Sequence, residues 1–208
     1  MTLRLCVGTL LDFHAQALAP AVVAPAAFAA WRERFAAVLA THALAMPPEP
    51  PDGSLGVTDD PGWGGYGSLV LWAAYVEQPQ LVRPVLEPEE WHKDRALAAS
   101  LAPTFVTRFP TLMRGVELWL PGDFGDVPDV PGPTGDELAV GSLGALESEL
   151  AALNGATWRA AEHEALAWRE QIDAGAERVN DLARRGFAIF VGLARHARAN
   201  HLSLWLAY

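Results

Sequence analysis

Cysteine is almost absent from this sequence. Among 208 residues Cys6 is the one cysteine, so the chain cannot form an intrachain disulfide. The cysteine content therefore requires no oxidising compartment, and it excludes a zinc site built from several cysteines. Cys6 lies in an apolar segment that we expect to be a buried strand, where a thiol is usually inert.

Positive charge is also scarce, because Lys93 is the single lysine. Lysine and arginine together number 15 against 25 acidic residues, which gives a formal net charge of −10. Proteins that bind nucleic acid or anionic membranes need clustered lysine and arginine. We therefore expect neither a nucleic-acid partner nor a membrane partner.

The sequence has no apolar run that could cross a membrane. Its most hydrophobic uncharged stretch, 186–194, is far shorter than the ~20 residues that a spanning helix needs. Hydrophobic residues nevertheless make up 51% of the chain, which is enough for a core. We expect a soluble, cytoplasmic protein whose residues 1–208 form a single globular domain.

Apolar spacing predicts an order of strands and helices. Alternating apolar residues indicate strands, and apolar residues three and four positions apart indicate helices. The resulting order predicts an α/β or α+β fold, a single compact domain with one mixed β-sheet packed with several helices and a C-terminal strand. The predicted elements are a strand over 2–11, a helix over 25–45, a helix over 89–101, strands over 104–107, 115–120 and 138–140, a helix from its N-cap Ser142 to Asn154, a helix from its cap Thr157 to Ile172, a helix over 176–199 and a strand over 202–208.

Two segments rich in proline and glycine predict long loops, at 47–67 and 121–136. The first ends in four glycines around Trp63 and Tyr66, a spacing that matches neither a P-loop nor a dinucleotide fingerprint. The apolar run 68–77 fits a buried strand and a buried helix equally well. Gly186, within the apolar stripe of the long helix, indicates the close approach of another backbone.

Recognisable catalytic and metal-binding motifs are missing. The sequence contains no Gly-x-Ser-x-Gly and no His-Glu-x-x-His, and its six histidines are scattered. We therefore expect no catalytic residue, no metal ligand and no cofactor. Carboxylates are plentiful, so sequence distance alone leaves an acid–base pair open.

Negative charge is concentrated in two segments. Residues 35–82 carry five carboxylates and residues 115–158 carry eight, and neither segment contains a lysine or an arginine. Acidic loops keep many proteins dispersed, so solubility alone is one interpretation. The other is a negative surface that attracts a basic partner, because complementary fields speed encounter and penalise wrong partners.

Our first functional hypothesis is a non-catalytic acidic binding protein. A small acidic domain without a catalytic motif fits an immunity or inhibitor-type protein, of the kind found in bacteria, that neutralises a basic protein partner such as a toxin. The candidate partner-binding residues are Asp59, Asp60, Trp63, Tyr66, Asp123, Asp126, Asp129, Asp136 and Glu137.

The alternative hypothesis is a small-molecule-binding domain or an enzyme. Its pocket would lie under the loops 59–67 and 121–136, because loops on a rigid scaffold commonly carry function. A concave pocket with converging titratable side chains would favour this alternative, and exposed acidic loops would favour the binding protein.

Overall fold

A computed structural model describes residues 2–18, 24–48, 56–173 and 175–208. Its strands are β1 (Arg4–Gly8), β2 (Val57–Asp59), β3 (Val116–Leu120), β4 (Val127–Pro131), β5 (Glu137–Ser142) and β6 (Ser203–Ala207). Its helices are α1 (Leu10–Ala17), α2 (Pro25–Thr41), α3 (Gly62–Glu77), α4 (Arg95–Ser100), α5 (Pro110–Met113), α6 (Leu143–Ala156), α7 (Glu162–Gln171) and α8 (Val179–Ala199), with a 3₁₀ helix at Trp91–Lys93.

The strands form one mixed sheet in the order β2-β1-β6-β3-β5-β4. Strands β3 and β5 are parallel, and the other neighbouring pairs are antiparallel. The C-terminal strand β6 therefore lies inside the sheet, between β1 and β3. The predicted fold class is confirmed: one mixed sheet packed with several helices, with a strand at the C-terminal end.

Successive side chains of a strand point to opposite sides of the sheet. Apolar residues lie on both faces here, and helices cover each face. On one face, Leu204 and Leu206 of β6 join a core with α3, α6 and α8. On the other face, Trp205 joins Cys6 and the helices α1 and α2. Within the described ranges, no helix is both long and apolar enough to span a membrane.

The predicted loop over 47–67 is wrong at its C-terminal end. Helix α3 begins at Gly62 and contains the whole glycine-rich stretch, and 68–77 continues the same helix. Almost every residue of α3 from Gly65 onwards is buried, and the helix packs against α8. Gly186 of α8 permits the close approach, so tertiary contact outweighs the low helix propensity of the glycines in α3.

Other boundaries differ from the predictions for local reasons. The first strand ends at Gly8, because Thr9 and Asp12 form a capping box that starts α1. Thr157 does not cap the next helix, since it bonds back to Leu153 of α6 and α7 starts after Ala161. The segment 121–136 contains strand β4, and 104–107 forms no strand.

Candidate functional site

An exposed aromatic pair lies at one end of the sheet. Trp63, in the first turn of α3, has 40% of its surface exposed, and Tyr208, which follows β6, has 57% exposed. Their ring centroids are 5.4 Å apart. The sheet register brings them together: Leu5 of β1 pairs with Asp59 of β2 and with Leu206 of β6, so the start of α3 and the end of β6 meet.

Two carboxylates accompany this pair. The hydroxyl of Tyr208 donates a hydrogen bond to Oε1 of Glu117 at 3.0 Å. Burial, this hydrogen bond and the charges of Glu117 and Asp136 raise the pKa of Tyr208 to about 12. Neither carboxylate forms an ion pair with a described residue. We call these four residues, Trp63, Glu117, Asp136 and Tyr208, the aromatic-acidic patch.

The structure neutralises part of the acidic segment 121–137. Asp123 lies 3.3 Å from the guanidinium of Arg198, which also contacts Glu147 at 2.5 Å. Asp126 lies 3.6 Å from Arg114. Arg114 follows α5 and Arg198 belongs to α8, so both arginines lie outside the segment, and its lack of basic residues does not make this half a free negative surface.

The other half of the segment has no basic partner among the described residues. Asp129 lies on the edge strand β4, and Asp136 and Glu137 lie where the β4–β5 turn enters β5. All three are exposed, and none forms an ion pair with another described residue. Asp136 accepts a hydrogen bond from Thr134 and belongs to the aromatic-acidic patch. Asp129 and Glu137 therefore add exposed negative charge outside the patch, on the neighbouring strands β4 and β5.

Asp59 and Asp60, two predicted partner-binding residues that precede α3, make largely structural contacts. Asp59 is paired with Arg169 of α7 at 2.7 Å. The carboxylate of Asp60 accepts the backbone N–H of Gly62 at 2.9 Å, and its carbonyl accepts a bond from Arg185 at 2.8 Å. These bonds fix the entry into α3 and so position Trp63.

Tyr66 does not belong to an exposed surface. It is only 6% exposed, and its ring stacks on Phe190 of α8 with centroids 5.9 Å apart. Because α3 is a helix rather than a loop, Tyr66 lies on its inner side, while Trp63 lies near the outside. Tyr66 is a core residue here.

Sequence reasoning missed Glu117 and Tyr208. Glu117 is the one charged residue among the apolar residues of β3, and this is a signal that could have marked it. Tyr208 ends an apolar run that predicts a buried strand. Strand β6 ends one residue earlier, at Ala207, and the side chain of Tyr208 is exposed.

The two predicted pocket loops line separate cavities. A cavity of about 480 Å³ lies beside Gly62–Gly65 and is bordered by Glu87 and Glu177. A second, of about 190 Å³, is lined by Glu117, Asp136 and Tyr208. Burial raises the pKa of Glu87, but the described residues that line the first cavity include no histidine, serine, cysteine or lysine. The described residues of the first cavity therefore supply no nucleophile with an adjacent base.

Among the described residues, Glu149 of α6 is the carboxylate whose pKa is raised most, and sequence reasoning missed it as well. It is 6% exposed and accepts the backbone N–H groups of Thr111 and Leu112 at 2.9 and 3.0 Å. Burial raises its pKa to about 7, against the lowering effect of these hydrogen bonds. It satisfies the free N–H groups at the start of α5, so its contacts are those of a structural clamp.

Comparison of the chain with models of known protein families, with curated proteins and with solved structures gives no match. The proposals that follow therefore depend on the geometry alone.

Proposed function

We propose that this is a non-catalytic binding protein whose acidic surface docks a basic protein partner. An immunity or inhibitor-type protein that neutralises a toxin is the specific form of this proposal. The observation that supports it is the aromatic-acidic patch, where the exposed rings of Trp63 and Tyr208 border Glu117 and Asp136, two carboxylates that form no ion pair with a described residue.

The chemistry of the patch suits an arginine or lysine side chain of the partner. A cation placed over the face of Trp63 or Tyr208 is attracted by the ring, with about 0.5–2 kcal/mol depending on how much water is removed. Glu117 and Asp136 would accept charge-assisted hydrogen bonds from the same cation. Tryptophan and tyrosine are also among the residues that contribute most to binding at protein interfaces.

The charge distribution supports a basic partner over a neutral one. Asp129 and Glu137 extend the negative surface beyond the patch without any arginine partner in the described residues. Such a surface accelerates the encounter with a positive partner, and salt screens the acceleration. We favour this function over an enzyme because the two loops expected to share one pocket line two separate cavities.

Affinity capture at low salt, followed by binding kinetics with purified variants, tests the proposal. We expect Trp63→Ala to weaken binding of the captured basic protein at least tenfold, which corresponds to about 1.4 kcal/mol. Glu117→Gln retains an acceptor for Tyr208 but removes the charge, so we expect slower association. Val82→Ala is the matched control, because Val82 is 93% exposed and lies outside the patch.

The kinetic pattern decides the outcome. If the captured protein is acidic, or if Trp63→Ala and Val82→Ala bind it equally well, the patch is not the docking surface. If association is independent of ionic strength, the proposed electrostatic attraction is absent.

A further inference from the structure

A positively charged aromatic cleft lies between the α6–α7 connection, α7 and α8. Its volume is about 400 Å³, and none of the residues of the aromatic-acidic patch lines it. Its lining residues are Trp158, Arg159, Glu164, Trp168, Gln171 and Arg184, with Ala160.

Two tryptophans form its apolar wall. The rings of Trp158 and Trp168 meet edge to face with centroids 5.3 Å apart, and both are partly exposed. Trp158 also stacks on Trp72, and its Nε1 donates to Asn180 of α8 at 3.1 Å. The indole N–H of Trp158 is therefore already used within the protein.

Two arginines supply positive charge. The guanidinium carbon of Arg184 lies 5.1 Å from the ring centre of Trp168, and the buried Nε of Arg184 has no hydrogen-bond acceptor among the described residues. Arg159 is exposed, and neither arginine pairs with a described carboxylate. The carboxylate in the cleft, that of Glu164, already accepts the N–H of Ala161 at 2.9 Å as the cap of α7.

The turn that carries Trp158 and Arg159 is held rigidly. Asn154 donates its side-chain amide to the carbonyl of Ala160 at 2.9 Å and accepts the N–H of the same residue at 3.1 Å. Arg159 has φ +52°, a left-handed conformation that a residue with a side chain rarely adopts. Backbone of this kind is maintained where surrounding bonds hold it, commonly at ligand sites.

We propose that this cleft binds a flat apolar or aromatic group that carries a carboxylate or a phosphate. The flat group would lie against Trp158 and Trp168. The anionic substituent would accept hydrogen bonds from the guanidinium groups of Arg184 and Arg159. A planar guanidinium matches both anions, because its N–H groups pair with two oxygens at once.

Calorimetric titration with phenyl phosphate tests the site. We expect phenyl phosphate to bind and to change the tryptophan fluorescence. We expect inorganic phosphate to bind at least tenfold more weakly, because it lacks the ring, and benzyltrimethylammonium not to displace phenyl phosphate, because its charge is positive. Phenylacetate, compared with phenyl phosphate, shows which of the two anions the cleft prefers.

Two variants show whether the binding occurs at this cleft. Arg184→Gln should weaken phenyl phosphate binding about tenfold, the loss expected for one charge-assisted hydrogen bond. Arg34→Gln is the control, because Arg34 is an exposed arginine of α2. Trp168→Leu, checked for its melting temperature, should weaken phenyl phosphate more than inorganic phosphate. The proposal is overturned if phenyl phosphate fails to bind the wild-type protein, or if Arg184→Gln and Arg34→Gln bind it equally.

Discussion

At the scale of single residues, the largest effect of burial on a described carboxyl group is the raised pKa of Glu149. The group is held by two backbone N–H groups and by no cation among the described residues, and Asp126 adds a further negative charge nearby. Its pKa in the folded protein, about 7, lies above the ordinary 4.5, so the folded state binds this proton more tightly than the unfolded state. Its contribution to stability is complete below pH 4.5 and is lost as the pH rises towards 7.

Glu149→Gln removes this titration while keeping the size of the side chain. We expect the free energy of unfolding of the wild type to fall relative to Glu149→Gln between pH 5 and pH 8. The limit of the change is about 3 kcal/mol, since each pKa unit corresponds to about 1.4 kcal/mol. Urea unfolding of both proteins at the two pH values measures it. Parallel pH profiles for the two proteins would contradict the prediction.

Asp123 and Asp126 form ion pairs that reduce the negative charge of the acidic segment. Both residues lie in a segment without basic residues, yet Arg198 and Arg114 come from elsewhere in the chain to meet them. Pairs this exposed contribute little to stability, at most about 1 kcal/mol each. Their consequence is electrostatic, because they leave Asp129, Asp136 and Glu137 as the negative surface of this segment.

At the scale of the elements, the contact between α3 and α8 defines the core on one face of the sheet. A Cβ added at Gly186 would overlap the carbonyl oxygen of Gly65 and lie 2.9 Å from the carbonyl carbon. A Cβ added at Gly65 would instead meet Pro61 at 3.6 Å and the Cα of Gly186 at 3.7 Å, which are ordinary contacts. The sequence-based expectation of a close backbone at Gly186 is confirmed.

This asymmetry predicts opposite results for two alanine substitutions. Gly186→Ala should lower the free energy of unfolding by about 1–3 kcal/mol, because the overlap with backbone forces the helices apart. Gly65→Ala should be neutral or stabilising by up to about 1 kcal/mol, because alanine favours a helix and the space exists. Thermal or urea unfolding of the two variants measures the difference. Equal destabilisation by both would mean that the helices are not packed as described.

At the scale of the whole molecule, β6 joins the two halves of the sheet. It pairs with β1 on one side and with β3 on the other, and its alternate residues enter the cores on both faces. A sheet that lost this strand would expose two edges and both cores.

Deletion of 202–208 should therefore prevent folding. The deletion removes four buried apolar side chains, each contributing about 1.5–3 kcal/mol, a sum comparable to the 5–15 kcal/mol stability of a whole domain. Tyr208→Ala is the control, because that residue is exposed, and we expect it to fold cooperatively. Circular dichroism and thermal unfolding measure both. A cooperatively folded 1–201 fragment would show that β6 is dispensable.

Sequence alone determined those elements whose signal lies between near neighbours. The leucine spacing after Ser142, the stripe of α8 and the apolar run of β6 each predict the structure that is observed, because periodicity needs only the chain itself. The hydroxyl of Ser142 accepts the N–H of Ala145 at 3.1 Å, as an N-cap should.

Tertiary structure decided what depends on residues far apart in sequence. The glycine-rich stretch after Pro61 is helical because it packs against α8, where Gly186 leaves room for the backbone of Gly65. Arg114 and Arg198 decide which carboxylates of the acidic segment are paired with a cation, and Tyr66 is a core residue because α3 directs it towards Phe190. The aromatic-acidic patch exists because strand register brings the end of β6 to the start of α3. The sequence of neither segment indicates that the other will lie beside it.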